Sequence, residues 1–356
     1  MSRDCEYEHA VISKVKQFLK LFDGIGLDSS DKKTLDEYSD GILRTVHLKY
    51  EGQEDDAYCF IIECVDKIKQ VEPYVCSLNQ CPSFFGFYPD APLEAQLFRA
   101  RIGDDFCTFE KEEMFHVPFD NRGKIETTRF SIPGVPCLYL SNTSYGCWVE
   151  LERPVDQKLS VSPVIVTDEI RILNLSVSIL DIFDFVDGSS FQSEDERYQK
   201  FLEYIKIMVL VIASSYVVDE PERKFKSEYI IPQMIMKAAR DNDIDGVVYY
   251  SKKVKSELYA RTAVNVALYA EYNPYEDFLY SSKLANRVKI GKSYNFAMFQ
   301  HLRKSVPYSM YRLLIDELNG RVYMSSGDRH YNYRDTVFHR FDEHIFANWK
   351  KREKPC

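Results

Sequence analysis

The hydrophobic period of this chain changes once along its length, and that change limits what it can fold into more than any other feature. Through roughly the first 85 residues apolar side chains recur every three or four positions, the spacing of amphipathic helices. One run is Val11, Ile12, Val15, Phe18, Leu19 and Phe22, and a second is Leu35, Tyr38, Ile42, Leu43 and Val46. Asp28-Ser29-Ser30-Asp31 offers N-caps to the second run. A third apolar stretch, Tyr58 to Ile68, leads into Cys76–Pro92, where Pro82, Gly86, Pro89 and Pro92 break regular structure. From Leu97 onward short strand-like runs stand between Gly, Pro and Asn: Leu97–Ile102, Cys137–Ser141, Pro163–Val166, Ile170–Leu175, Gly246–Ser251 and Asn265–Tyr269. Helices are expected from Ser144, which follows a strand and the capping residues Ser141-Asn142-Thr143, and over 193–216 and 227–240. Strands and helices mix without strict alternation, so the expected class is α+β, not a doubly wound parallel sheet. The expected organisation is a helical N-terminal region over 1–88, a mixed domain over 89–280 and a C-terminal extension over 281–356. That extension is charged and Tyr-rich, shows no long uninterrupted element, and reads as an appendage or a closing layer.

Composition removes several classes of function. Hydrophobic residues make up 45% of the 356, far from the signature of a disordered chain. A net charge of -9 argues against sequence-independent nucleic-acid binding, which needs a basic face to release counterions, but leaves room for a small anion held by a few arginines. The longest uncharged apolar run, Ile207–Tyr216, is about half the roughly 20 residues that span a bilayer, so it reads as a buried helix and no membrane association is expected. Nine cysteines with no C-x-x-C pair, and no signal-peptide pattern, point to a reducing cytoplasm. The histidines are scattered and no metal site is assigned. Gly24-Ile25-Gly26 lacks the third glycine and preceding strand of a dinucleotide fingerprint, and neither a P-loop nor H-E-x-x-H occurs.

One ordered series carries more information. It runs Leu97-Phe98-Arg99-Ala100-Arg101, then Thr128-Arg129-Phe130-Ser131-Ile132-Pro133-Gly134-Val135-Pro136-Cys137-Leu138-Tyr139-Leu140-Ser141, then Cys147-Trp148-Val149-Glu150-Leu151. Further on come Asp245-Gly246-Val247-Val248-Tyr249-Tyr250-Ser251 and Asn265-Val266-Ala267-Leu268-Tyr269. This series resembles the RES domain family, named for its Arg, Glu and Ser. The family pattern reads aromatic-Arg-x-Arg, Gly-Arg-Tyr/Phe-Asn-x-Pro-Gly-x-Pro-x-Leu-Tyr-Leu-Ser, a helix with a Glu, Asp-Gly-Ile-x-Tyr-x-Ser and Asn-x-Ala-Leu-Phe. Here Thr128 stands for the usual Gly, Phe130 for the commoner Tyr and Ser131 for Asn, and residues 151–244 are longer than in compact members.

The resemblance implies a fold like that of ADP-ribosyltransferases, and a bacterial toxin of a toxin–antitoxin pair that consumes NAD by hydrolysis or phosphorolysis. Cleaving the nicotinamide–ribose bond passes through an oxocarbenium-like state, which a carboxylate stabilises. In that frame Glu150 is the candidate for the sugar cation, and Arg99 and Arg129 for the pyrophosphate, because a guanidinium fork satisfies two oxygens. Arg101 is the reserve, set on the opposite side of its strand from Arg99. Phe130 or Tyr139 would stack on nicotinamide, and Ser251 would orient Glu150 or the ribose. Pro133, Gly134 and Pro136 shape a loop, His116 borders a pocket or packs, and Gln233 packs or hydrogen-bonds substrate. Two other readings stand beside this one: ADP-ribosyl transfer to a macromolecule, and a non-catalytic nucleotide sensor whose N-terminal helices bind a partner. The resemblance implies an antitoxin-like partner, and the length of the flanks outside it offers a self-inhibitory module in its place.

Overall fold

The computed structural model describes residues 4–21, 28–69, 74–81, 96–166, 169–178, 193–216, 223–254, 261–302, 315–316, 321–326, 329–333 and 336–352. Phe22, Gly24-Ile25-Gly26 and the breakers Pro82, Gly86, Pro89 and Pro92 lie outside these residues. In chain order the main elements are α1 (Asp4–Lys20), α2 (Ser29–Tyr50), α3 (Glu54–Ile68), β1 (Val75–Ser77), β2 (Gln96–Ile102), β3 (Cys137–Ser141), α4 (Ser144–Glu150), β4 (Leu159–Val166) and β5 (Arg171–Asn174). There follow α5 (Glu194–Ser214), α6 (Ile230–Asp241), β6 (Gly246–Tyr250), β7 (Val264–Tyr269), α7 (Ser282–Arg287), β8 (Val288–Ile290), β9 (Tyr294–Asn295), α8 (Phe296–Leu302), β10 (Ile315–Asp316), β11 (Arg321–Ser326), β12 (Arg329–Asn332) and α9 (Val337–Arg352). The class is α+β with a helical N-terminal region. The chain divides into two compact units: Met1–Val75, Glu126–Pro133 and Leu173–Val247 in the first, and Cys76–Ile125, Gly134–Ile172 and Val248–Cys356 in the second.

The first unit is helical because its apolar residues repeat at helical spacing. Tyr7, Val11, Val15 and Phe18 of α1 are buried, as are Leu35, Ile42 and Val46 of α2 and Ala57, Ile61 and Val65 of α3. Asp28 caps α2, its carboxylate accepting the Asp31 N–H at 2.8 Å. α2 packs on α3, α3 on α6, and α1 on α5, where the Tyr7 hydroxyl donates to the Ala213 carbonyl at 2.9 Å. Most of the apolar run that is too short for a membrane lies in the buried part of α5, with Ile207, Val209, Leu210 and Ala213 all fully enclosed. Each such side chain contributes about 1.5–3 kcal/mol through burial.

The second unit is built on a sheet of order β1-β5-β6-β7-β3-β2-β4-β8, with β9 also on β4. Val75, Leu173–Asn174 and Gly246–Val247, at the ends of β1, β5 and β6, count with the first unit. Side chains alternate between its faces with period two. One face carries Leu97, Leu138, Leu140, Val164, Val166, Val264, Val266 and Leu268. The other carries Phe98, Ala100, Leu159 and Val161 under Phe296, Phe338, Phe341, Ile345, Phe346 and Trp349. The strands pair antiparallel along β2–β4, β3–β7 and β4–β8, whereas β2 and β3 share one registered pair, Phe98 and Ser141.

Two expectations change. β4 begins at Leu159, four residues before the expected Pro163, which lies inside it opposite Phe98. Proline has no N–H to give to a ladder, so it reads as a strand start. Here the lost donor is met by a break in the neighbouring strand: β8 pairs with Val164–Val166 and β9 with Ser160–Val161, while the Gly291 N–H in the gap donates to the Pro163 carbonyl at 2.9 Å. The second change is in the C-terminal region, which holds a helix of 16 residues, α9. Its Phe338, Phe341, Ile345, Phe346 and Trp349 recur at helical spacing and cover the sheet, so this part is a closing layer.

Candidate active site

Arg99 and Arg101 stand two residues apart on β2 and so share a face of the strand. The expectation that Arg101 points away from Arg99 is therefore corrected, since side-chain direction repeats every second residue. Each is registered against a serine of β4, Arg99 with Ser162 and Arg101 with Ser160. Arg99 Nη1 donates to the Tyr139 carbonyl at 3.0 Å, spanning the place where β2 and β3 are registered at one pair alone. Arg101 Nη2 donates to the Phe115 carbonyl at 3.4 Å. The Nε atoms of both are buried without a hydrogen-bond partner, and among the described residues neither guanidinium has a carboxylate in ion-pair contact. Burial first, and then the charge of Arg101, pushes the Arg99 guanidinium down to about 10. Two like charges held together, with Glu113 acting on Arg101 only from beyond ion-pair distance, make a local demand for an anion.

Glu150 ends α4, whose placement is set from both ends. At the start, the Thr143 hydroxyl accepts the Gly146 N–H at 2.8 Å and donates to the Thr262 carbonyl at 2.6 Å. The buried Asp342 of α9 accepts the Ser144 N–H at 3.3 Å and the Tyr333 hydroxyl at 2.6 Å. Along its length α4 lies over a row of registered residues, Phe98, Ser141 and Asn265, and the Cys147 thiol meets the Phe98 carbonyl at 3.4 Å. At its end Glu150 Oε1 accepts from Asn265 Nδ2 at 2.6 Å, and Oε2 stands 3.9 Å from Lys253 Nζ. The Glu150 side chain keeps 34% exposure, so the held carboxylate still faces solvent.

The remaining candidates connect to these through named contacts. Ser251 is buried beyond β6; its N–H donates to the Ala263 carbonyl at 2.8 Å and its hydroxyl accepts the Lys253 N–H at 3.3 Å. Ser251 therefore bears on Glu150 by way of Lys253. The Cys147 thiol senses both charged ends: burial raises it out of its usual range, Arg99 opposes that shift, and Asp342 and Glu150 add to it. Tyr139 is half-buried on β3. The second unit thus holds two groups of candidates: Arg99 and Arg101 with the Tyr139 carbonyl on β2 and β3, and Glu150 with Asn265, Lys253 and Ser251 at the end of α4. Sequence reasoning passed over Lys253 and Asn265. Asn265 opens the last segment of the recognised series and its residue type was visible there, whereas Lys253 had no signal beyond its place two residues after Ser251.

Arg129 and Phe130 belong to the first unit. Arg129 Nη2 donates to the Tyr216 carbonyl at 3.3 Å, and the Phe130 ring is 1% exposed. The two departures beside them bond to each other, the Thr128 N–H donating to Ser131 Oγ and that hydroxyl to the Thr128 carbonyl at 2.9 Å. Gln233 Nε2 donates to the same Thr128 carbonyl at 3.1 Å, so it braces this turn. In the second unit Gly134 has φ +74, a left-handed conformation suited to glycine, with its carbonyl held by Arg122 at 2.8 Å. His116 packs among Phe115, Phe119 and Tyr280. Its Nδ1 bonds to the Val117 carbonyl at 2.8 Å and its Nε2 accepts the Ser281 N–H at 3.0 Å, which defines a neutral ring. Among the described residues no group of three or more His, Cys, Asp or Glu gathers as for a metal ion, and no helix is long and apolar enough to cross a membrane.

The chain is similar to a Bacillus subtilis (strain 168) protein described as "Putative toxin YopC", with 30% identity over 273 residues, or 76% of this chain. It spans 59% of that protein's length. Among solved structures it aligns with the M. tuberculosis MbcT–MbcA toxin–antitoxin complex over 69% of this chain and 97% of that one, at 14% identity and a TM-score of 0.33. The RES domain pattern matches residues 97–277, from β2 past β7, a span that includes Arg99, Arg101, Tyr139, Glu150, Ser251, Lys253 and Asn265 but not α9. The chain belongs to the RES domain family.

Proposed function

We propose that this protein cleaves the nicotinamide–ribose bond of NAD. The observation that carries the reading is the pair of neighbouring guanidinium groups on β2 that, among the described residues, have no carboxylate in ion-pair contact, together with the solvent-facing carboxylate that Asn265 holds at the end of α4. Arg99 and Arg101 receive the pyrophosphate, each presenting planar donors to its oxygens. Glu150 stabilises the positive charge that grows on the ribose as nicotinamide departs, and the Asn265 amide keeps the carboxylate in place as it does so. Tyr139 offers a ring to the nicotinamide; Phe130, with its ring enclosed, supports the turn that carries Arg129. Ser251 orients Glu150. Nicotinamide leaves as a neutral ring, so the step calls for no strong general acid, and the neutral His116 is not required to supply a proton.

The likeness to a protein named as a toxin supports a second part of the proposal: the activity depletes NAD in the cell that makes it, under restraint by an antitoxin-like partner or by the chain's own flanks. The test is nicotinamide release from NAD by the purified chain, with and without inorganic phosphate. Phosphate-dependent release indicates phosphorolysis, phosphate-independent release indicates hydrolysis, and label transferred to protein or nucleic acid indicates ADP-ribosyl transfer. Glu150→Ala and Arg99→Ala are expected to lower release about a hundredfold or more with the fold intact. Undiminished release in both variants would remove this site assignment.

A further inference from the structure

Glu150 closes α4, and the chain just after it is held in a costly conformation. Glu152 and Arg153 have φ of 62 and 54, in the left-handed region. That region costs a non-glycine residue about 1–2 kcal/mol, and two in succession persist only where surrounding contacts impose them. The Glu152 N–H donates to the Val149 carbonyl at 3.2 Å and the Arg153 N–H to the Trp148 carbonyl at 2.9 Å. The Trp148 indole N–H donates to the Pro154 carbonyl at 2.9 Å.

Lys253 reaches this turn from the segment after β6. Its ammonium donates to the Glu150 carbonyl at 2.6 Å, pairs with Glu152 Oε1 at 2.5 Å and stands 3.9 Å from Glu150 Oε2. A cation on the closing carbonyls of a helix sits where the helix dipole favours it. Lys253 is itself fixed on both sides: its N–H donates to Ser251 Oγ, and its carbonyl accepts from Arg153 Nη2 at 3.1 Å. The contacts form a closed ring from Ser251 through Lys253 to Glu150, Glu152 and Arg153, and back to Lys253.

We propose that Lys253 is a positioning residue for NAD cleavage, an inference that rests on the reading of Glu150 above. Its ammonium passes the rigidity of the Ser251 turn to the end of α4 and sets where the Glu150 carboxylate stands. The division of its charge serves the same end. Glu152, which is 74% exposed, takes the short contact, and Glu150 Oε2 at 3.9 Å stays available to the developing sugar cation. Asn265 fixes the other oxygen, so the carboxylate is oriented from two directions without being neutralised.

The test uses the full chain and two readouts: hydrogen exchange over residues 144–154, and kcat and KM for nicotinamide release. Lys253→Met is expected to speed exchange at residues 150–153 and to lower kcat about tenfold, since small misplacements of a reacting group are costly. KM for NAD stays within about twofold, because the arginines that grip the dinucleotide are untouched. Lys253→Arg restores most of both properties. Unchanged exchange in Lys253→Met overturns the proposal, and so does faster exchange with an unchanged kcat. A loss of kcat that Lys253→Arg does not restore, accompanied by a rise in KM, also overturns it and marks a general structural role. A wild-type chain that releases no nicotinamide, with Arg99→Ala and Glu150→Ala equally silent, sinks the functional reading; exchange then decides alone whether Lys253 holds Glu150.

Discussion

Arg99 shows most directly how a single residue trades stability for a site. Its guanidinium is pushed down by burial and by Arg101, yet at about 10 it remains charged at neutral pH, so the folded protein carries an uncompensated charge. Replacing a poorly compensated buried charge by an apolar side chain of similar length is often neutral or stabilising. Arg99→Met is therefore expected to raise the melting temperature, by an amount equivalent to about 1–2 kcal/mol, while abolishing NAD binding. Thermal melts and calorimetry check both halves; a destabilised variant that still binds NAD would contradict them. His116 supplies the pH dependence. Burial holds its pKa below the ordinary 6.5, and the ring accepts a backbone N–H that an imidazolium would repel. As pH falls below that value, the unfolded chain takes up a proton that the folded chain refuses, so stability declines. Melting temperatures measured between about pH 7.5 and 5 should fall less in His116→Gln, which removes the titrating ring.

At the scale of elements, α4 depends on Gly146. A Cβ there would lie 2.1 Å from the Ser141 hydroxyl and 3.2 Å from the Ala263 Cα, so the helix rests on the sheet at the closest approach its backbone allows. Elsewhere in a helix Gly→Ala stabilises by about 1 kcal/mol. Gly146→Ala is expected to do the reverse, costing about 1–3 kcal/mol by overpacking and lowering kcat as Glu150 shifts. Denaturant titration and nicotinamide release read the two effects, and a stabilised variant would refute the close packing. Much of this element was legible beforehand. Ser141-Asn142-Thr143-Ser144 after a strand placed the start of α4, and the structure begins it at Ser144 with Thr143 as the cap. β3 also falls where its pattern put it, at Cys137–Ser141. Local signals of this kind survive because a cap or an alternating run is satisfied within a few residues. The first half of β4 was hidden because Pro163 obeys a local rule that a break between β8 and β9 overrides. α9 was hidden because Arg340, Asp342, Glu343 and His344 interrupt its apolar stripe in the linear sequence and separate from it only on the helix surface.

At the scale of the whole molecule, the residues that match the family do not hold their own core. The match ends at residue 277, whereas one face of the sheet in the second unit is covered by Phe296 and by Phe338, Phe341, Ile345, Phe346 and Trp349. A chain ended after residue 280 would leave Phe98, Leu159 and Val161 open to water and lose Asp342 from the start of α4. It is expected to aggregate on expression, and a soluble, active truncation would show the C-terminal layer to be dispensable. Removing residues 1–88 strips α1 to α3 from α5 and α6 of the same unit, so that chain is also expected to be insoluble. A soluble and more active product would instead support the self-inhibitory role considered for the N-terminal helices.

Helical N-terminal region, α+β class, family and the candidates Arg99, Glu150 and Ser251 were all readable along the chain, because period, capping and motif order are properties of neighbouring residues. Folding alone decided that Arg101 stands beside Arg99 on one face of β2, that Asp342 reaches α4 from nearly 200 positions away, and that Lys253 joins Ser251 to Glu150. These are electrostatic and steric relations between distant segments. Their energies depend on separation in space and on exclusion of water, and neither quantity exists until the sheet has formed and its two faces have been covered.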